Sequence, residues 1–163
     1  MRLLKNLVCK GERKLFSEEL IYMDILCENQ RDLFKTIAED LLKKGYVQET
    51  YLQAITEREK TFPTGITTNV TGVAIPHTDS KHIKNQGIAI VRLRNPISFC
   101  EMVTNETIKV KLAFFLLVND KEKQVPVIKE LMRLFADDHF LNDMLDAKNT
   151  EELFQVILNN TSN

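Results

Sequence analysis

Two stretches of this chain are apolar at consecutive positions where a half-solvated strand would alternate: Ile88-Ala89-Ile90-Val91, and Leu112 through Val118. Runs of that kind belong to strands buried on both faces, and such burial needs helices on each side of a sheet. The second run is preceded by alternation at Ile108, Val110 and Leu112, the pattern of a strand that starts as an edge and ends in a buried centre.

Segments of helical periodicity surround these strands. Asn29 or its neighbour caps a helix carrying Leu33, Phe34, Ile37, Ala38, Leu41 and Leu42, with Lys43 and Lys44 in its last turn and Gly45 at its stop. A second helix is predicted from about Thr50 to Lys60, with Tyr51, Leu52 and Ile55 inward; Phe62-Pro63-Thr64-Gly65 breaks it. Strands are predicted over 72–75, 87–93 and 108–118. Asn95-Pro96 reads as a turn before a further short strand holding Ile97 and Phe99. Pro126 is expected in the first turn of the next helix, where its missing N–H costs nothing; that helix carries Val127, Ile128, Leu131, Met132, Leu134 and Phe135. Asp137-Asp138 caps a helix through Leu145, and Thr150 with Glu152 starts the last, burying Leu153, Val156 and Ile157. The fold class is therefore α/β: a layered sandwich with a mixed, mostly parallel central sheet flanked by helices. A single domain is expected over residues 1–163, with its core at about 5–158.

Composition narrows the function. Net charge is -1 with both signs interspersed, so nothing global points to nucleic acid or an anionic membrane. The longest apolar stretch is too short to cross a bilayer, and Met1 to Cys9 lacks the form of a secretory signal. Cys9, Cys27 and Cys100 are odd in number and without CxxC, as reduced thiols of a cytoplasmic protein would be. Met1 and the polar end Asn159 to Asn163 are those expected of a complete chain. No GxSxG, P-loop or GxGxxG occurs, so the usual hydrolase and nucleotide fingerprints are missing.

What remains is His77, in Gly72-Val-Ala-Ile-Pro-His77-Thr-Asp-Ser80. Pro76 cannot continue a hydrogen-bonded ladder and holds Ile75 extended, so the imidazole lies on a defined backbone at the rim of a sheet. A histidine with near-neutral pKa can accept and release a phosphoryl group without metal or cofactor. Arg58, ahead of the Pro63-Thr64-Gly65 turn, is a candidate for neutralising phosphate oxygens. Its plainer role is an ion pair with Glu57 or Glu59. His82 and His139 read as surface residues, the latter at a capped helix start.

The segment Arg58-Glu-Lys-Thr-Phe-Pro63-Thr-Gly65, followed by Gly72-Val-Ala-Ile-Pro-His77, resembles the signature of the fructose/mannitol-type (type 2) enzyme IIA family. These proteins serve the bacterial phosphoenolpyruvate-dependent sugar phosphotransferase system. Within the family, the Phe-Pro-Thr-Gly-Ile turn and the length are most similar to galactitol-specific IIA. The resemblance implies that His77 accepts phosphate from phospho-HPr and passes it to a cognate IIB protein. It implies further that Arg58 supports the phosphoryl group and that Thr64 and Gly65 form the turn beside it. Thr64, Thr78 and nearby amides are candidate donors to the phosphoryl oxygens. Many mannitol-type members carry a second active-site histidine after the long strand; Gln124 is the nearest matching position here, at the site rim. Attack by Nε2 requires that Nδ1 give its proton to a fixed acceptor such as a backbone carbonyl. No cofactor or metal is implied, no nucleic acid, and membrane contact only indirectly through IIC. The alternative is a nitrogen-type IIA or regulator domain whose phosphorylation controls a partner.

Overall fold

The computed structural model describes residues 15–161. Five strands form one sheet in the order β1-β4-β5-β3-β2: β1 is Ile21–Ile25, β2 Gly65–Ile66, β3 Gly72–Ala74, β4 Gly87–Cys100 and β5 Thr107–Leu117. The helices are α1 (Gln30–Lys43), α2 (Tyr51–Thr61), α3 (Lys121–Phe135), α4 (Asp138–Asp146) and α5 (Thr150–Thr161). The sheet is mixed, as expected. Two of its ladders are parallel (β1 with β4, β3 with β5) and two antiparallel (β4 with β5, β2 with β3), so the parallel share is half.

The unalternating run in β4 divides its side chains between two cores. Ile88 and Ile90 point to one face with Leu112, Phe114 and Leu116, beneath Leu131, Leu134, Phe140 and Leu153 of α3, α4 and α5. Ala89 and Val91 point to the other with Ala113, Phe115 and Leu117, beneath Leu33, Phe34, Ile37 and Ile55 of α1 and α2. Phe34 meets Phe99 and Phe115 edge-on, with centroids 6.1 and 5.6 Å apart. Both faces being dry is what the sequence pattern demanded.

Local signals set the helix ends. The Asn29 side chain accepts from the Asp32 N–H, and Gly45 turns the chain out of α1 with φ +77°. Asp137 accepts from the amides of His139 and Phe140 to open α4. At α5, Asn149 accepts from the Glu152 amide while Glu152 accepts from that of Lys148, a reciprocal cap.

Three expectations need correction. Asn95-Pro96 is no turn: β4 runs on to Cys100, and its register against β5 shifts between Arg92 and Ile97. Pro96 falls in this irregular stretch, past the last β1 partner at Leu93, where no ladder asks for its N–H. Pro126 is not in the first turn of its helix. The Asp120 side chain caps the Glu122 amide at 3.0 Å, so α3 begins at Lys121 and Pro126 lies inside it. The carbonyl of solvent-exposed Glu122 loses a helical partner there, and burial of Val127 and Leu131 just beyond offsets the loss. Finally, β1 was not anticipated; it pairs in parallel with β4 along the sheet edge. Of the cysteines, Cys27 is buried and Cys100 exposed, both free, and Cys9 lies outside the described residues.

Candidate functional site

The site begins where β3 runs out. Gly72 lies so close to β5 that a Cβ would stand 2.0 Å from the Lys109 carbonyl oxygen, so a side chain there would push the strands apart. After Ala74 the chain stays beside β5: the Pro76 carbonyl accepts from the Leu116 amide at 3.0 Å. Proline ends the donor side of the ladder yet keeps the acceptor side. His77 is thus fixed one residue beyond a buried proline.

Its ring is half-buried and oriented. Nδ1 lies 2.7 Å from the Ile75 carbonyl oxygen. A carbonyl only accepts, so Nδ1 carries the proton and the Nε2 lone pair is the free one. No described residue engages Nε2 by a hydrogen bond. Burial lowers the His77 pKa below the ordinary imidazole value; the Ile75 carbonyl opposes this, and the Arg58 charge adds to the lowering. An outward lone pair on a neutral ring is the nucleophilic form.

Arg58 and His77 come from different elements but lie close enough for the guanidinium charge to act on the ring. The guanidinium carbon is 4.1 Å from the centre of the Phe62 ring, a cation–π contact that holds the side chain at the end of α2. The ion pair considered for it does not form among the described residues: Glu57 accepts from Gln53, and Glu59 turns inward to Thr64.

Glu59 is the residue the sequence reading missed. It is 4% exposed, and its two oxygens accept from the amide (2.9 Å) and the hydroxyl (2.8 Å) of Thr64. Burial pushes its pKa up to about 7 against the pull of both Thr64 bonds and the Arg58 charge. Its spacing of four from Ile55, and eight from Tyr51, marked the buried face of the helix. The Thr64 hydroxyl, expected as a donor at the site, donates to Glu59, while the Thr64 carbonyl accepts from the Ile75 amide at 3.3 Å. Gly65 pairs with Ala74, and a Cβ there would stand 2.5 Å from the Cys100 carbonyl oxygen. Close packing explains this glycine.

Thr78 is buried, and its carbonyl accepts from Gln124 Nε2 at 3.1 Å, which brings the start of α3 to the residue after His77. Exposed Phe62 follows Arg58 by one helical turn, and exposed Val125 adjoins Gln124. His82 is elsewhere, with Nδ1 2.7 Å from the Thr50 hydroxyl, and His139 is exposed at the start of α4. Among the described residues no group of three or more His, Cys, Asp or Glu is placed to hold a metal ion, and no helix is long and apolar enough to cross a membrane.

A mixed sheet between two helical layers, carrying a carbonyl-oriented histidine at its rim, defines a domain class that the comparisons identify. Residues 14–160 match the family described as "Phosphoenolpyruvate-dependent sugar phosphotransferase system, EIIA 2", and the chain belongs to that family. It is 26% identical over 123 residues to the galactitol-specific EIIA component of Escherichia coli K12, covering 76% of this chain and 82% of that one. It is 32% identical over 124 residues to the transcriptional regulator ManR of Bacillus subtilis, covering 76% of this chain but 17% of the regulator. Among solved structures, the complex of enzyme IIA mannitol with phosphorylated enzyme IIB mannitol from Escherichia coli aligns with a TM-score of 0.72 at 20% identity. That alignment covers 88% of this chain and 97% of the other, a likeness of fold.

Proposed function

We propose that this protein is a phosphocarrier of the sugar phosphotransferase system, with His77 as the residue that carries the phosphoryl group. The observation that supports this most directly is the hydrogen bond from His77 Nδ1–H to the Ile75 carbonyl, which leaves Nε2 free and nucleophilic on a neutral ring. In the first transfer, the Nε2 lone pair attacks the phosphorus of phospho-HPr. A new N–P bond forms, the donor's N–P bond breaks, and its electron pair returns to the donor's ring nitrogen. In the second, the cysteine thiolate of a cognate IIB attacks the same phosphorus and the electron pair of the broken bond returns to Nε2.

Such transfer passes through a loose transition state with charge spread over the phosphoryl oxygens. Positioning and positive charge therefore matter more than covalent assistance. Arg58 supplies the charge. Thr78 and the free amides after His77 are the donors to the oxygens, while Thr64 and Gly65 shape the turn that carries Arg58 past the site. Gln124, in place of a second histidine, steadies the Thr78 backbone. No metal or nucleotide enters this scheme.

Galactitol, or a related polyol, is the sugar we infer for the pathway, supported by the E. coli relative of similar length. The cytoplasmic face of the membrane is the place where HPr, IIB and this carrier would meet, with IIC as the only membrane partner. A second reading is favoured by the 32% identity to ManR: a unit whose phosphorylation on His77 governs a regulator. The test is labelling from phosphoenolpyruvate with enzyme I and HPr, followed by addition of candidate IIB proteins. Wild type becomes labelled on His77 and discharges to a IIB; His77→Ala stays unlabelled with its fold intact. Full labelling of His77→Ala would overturn the assignment, and labelling without discharge to any sugar IIB would favour the regulatory reading.

A further inference from the structure

Behind the candidate nucleophile a series of hydrogen bonds, joined through the backbones of Ile75 and Thr64, ends on a buried carboxyl. His77 Nδ1 donates to the Ile75 carbonyl at 2.7 Å, the Ile75 amide donates to the Thr64 carbonyl at 3.3 Å, and Thr64 donates twice to Glu59. We propose that Glu59 is a positioning residue for His77: by gripping both donors of Thr64 it fixes the loop whose carbonyl holds the Ile75 amide, and so restrains the residue whose own carbonyl faces the imidazole. The inference rests on His77 being the phosphoryl acceptor for its functional consequence, but its structural content does not.

Three observations carry it. First, a fully buried Glu is uncommon in a core and persists where its oxygens are used. Both oxygens of Glu59 are bonded, and both bonds go to one residue. Second, Thr64 has few other restraints. It sits between the end of α2 and the two-residue strand β2, and without Glu59 its amide and hydroxyl would be left buried and unpaired. Third, Glu59 and Arg58 are consecutive on α2, one facing the core and the other acting on His77. A single anchor therefore sets the end of α2, from which Arg58 projects, and the carbonyl that orients the ring. The raised pKa of Glu59 agrees with a carboxyl held in place at an electrostatic cost.

A cleft of about 280 Å³, lined by Gln30, Glu59, Lys60, Pro63 and Cys100 among others, lies against Glu59.

The test reads the His77 ring directly, by long-range ¹H–¹⁵N correlation on unphosphorylated protein, alongside the rate of phosphoryl acceptance. In wild type the neutral ring is in the Nδ1–H form. Glu59→Met keeps most of the volume and removes both acceptors, so the Thr64 amide and hydroxyl lose their partner. The expected result is a measurable Nε2–H population and acceptance about tenfold slower, with the KM for phospho-HPr little changed. Thr64→Val, which keeps the amide and loses the hydroxyl, shifts the ring in the same direction. Thr64→Ser, which restores the hydroxyl, recovers most of the Nδ1–H form. A folded Glu59→Met with the wild-type ring spectrum and rate overturns the proposal. Should Glu59→Met not fold, identical ring spectra for Thr64→Val and Thr64→Ser overturn it instead. If wild type itself accepts no phosphoryl group, the functional reading fails while the ring spectra still decide the role of Glu59.

Discussion

The nitrogen of His77 that faces inward and the carbonyl of Ile75 are 2.7 Å apart, so the backbone two residues behind the ring dictates which of its nitrogens is free. This places the choice of tautomer in the main chain.

Removing Arg58 should slow phosphoryl acceptance without removing it. One well-placed charge contributes about 2.7 kcal/mol to such a transition state, equivalent to roughly 10² in rate. Arg58→Ala should therefore lose about two orders of magnitude in single-turnover labelling, and an unchanged rate would take Arg58 out of the site.

The acid side of the pH profile should reflect a depressed imidazole. Burial and the Arg58 charge hold His77 below its ordinary value of 6.5, so at that pH the neutral ring is the majority form. Acceptance should keep more than half of its rate at pH 6.5 and reach its midpoint only in more acid buffer. Because the unfolded ring takes up a proton first, His77 also costs the fold stability as pH falls through this window. A rate that halves at pH 6.5 would contradict the buried setting.

Glu59 should leave a mark on stability of the opposite slope to an ordinary paired carboxylate. Its folded pKa of about 7 lies above the ordinary 4.5, so between these values the folded state holds a proton that the unfolded chain has released. Stability from this group is complete below pH 4.5 and is lost as pH rises toward 7, by about 3 kcal/mol at most. Arg58 acts on it from its own helix, Lys60 lines the adjoining cleft, and Thr64 faces it from the loop. Urea melts at several pH values should show wild type losing ground against Glu59→Gln over that interval. Parallel curves would show that the carboxyl is ionised throughout.

Arg92 should matter for folding although it lies outside the site. Buried on β4, it holds Asp24 through two bonds (2.9 and 3.0 Å) and donates to the carbonyls of Met144, Leu145 and Ala147 at the end of α4. Arg92→Met keeps much of the apolar contact but strands these carbonyls, at a cost of about 2–4 kcal/mol. Chemical denaturation should show that loss with phosphoryl acceptance preserved below the transition.

Tyr51 should behave in the reverse sense. Its hydroxyl is fully buried with no hydrogen-bond partner among the described residues, and burial raises its pKa. Tyr51→Phe removes an unsatisfied group and should leave stability unchanged or raise it by about 1 kcal/mol. A clear fall in Tm would reveal a water bound to that oxygen.

The elements that could be read in advance were those whose cause is local. Asn29 and Gly45 bracket α1 by capping and positive φ, and the unbroken runs in β4 and β5 declare a two-sided core. His77 and Arg58 stood out because the Pro-His and Pro-Thr-Gly turns carry a specific pattern. What escaped was set at a distance. β1 depends on pairing with β4, and its alternation is broken by Asp24, at φ +54°, which turns aside to reach Arg92. Pro96 reads as a stop only if one does not know that β1 has ended beside it. Glu59 looked like a surface partner for Arg58 because its true partner, Thr64, lies across a turn. The Ile75 carbonyl was beyond reach for a similar reason: a ring folding back on its own backbone leaves no trace in composition or spacing.

The bond from the Leu116 amide to the Pro76 carbonyl ties the nucleophile's backbone to the most deeply packed strand of the molecule. The exposed apolar side chains of Phe62 and Val125 sit instead on a helix end and a helix start. The imidazole and these exposed apolar side chains therefore rest on different supports, one anchored in the sheet and the others carried by helix termini.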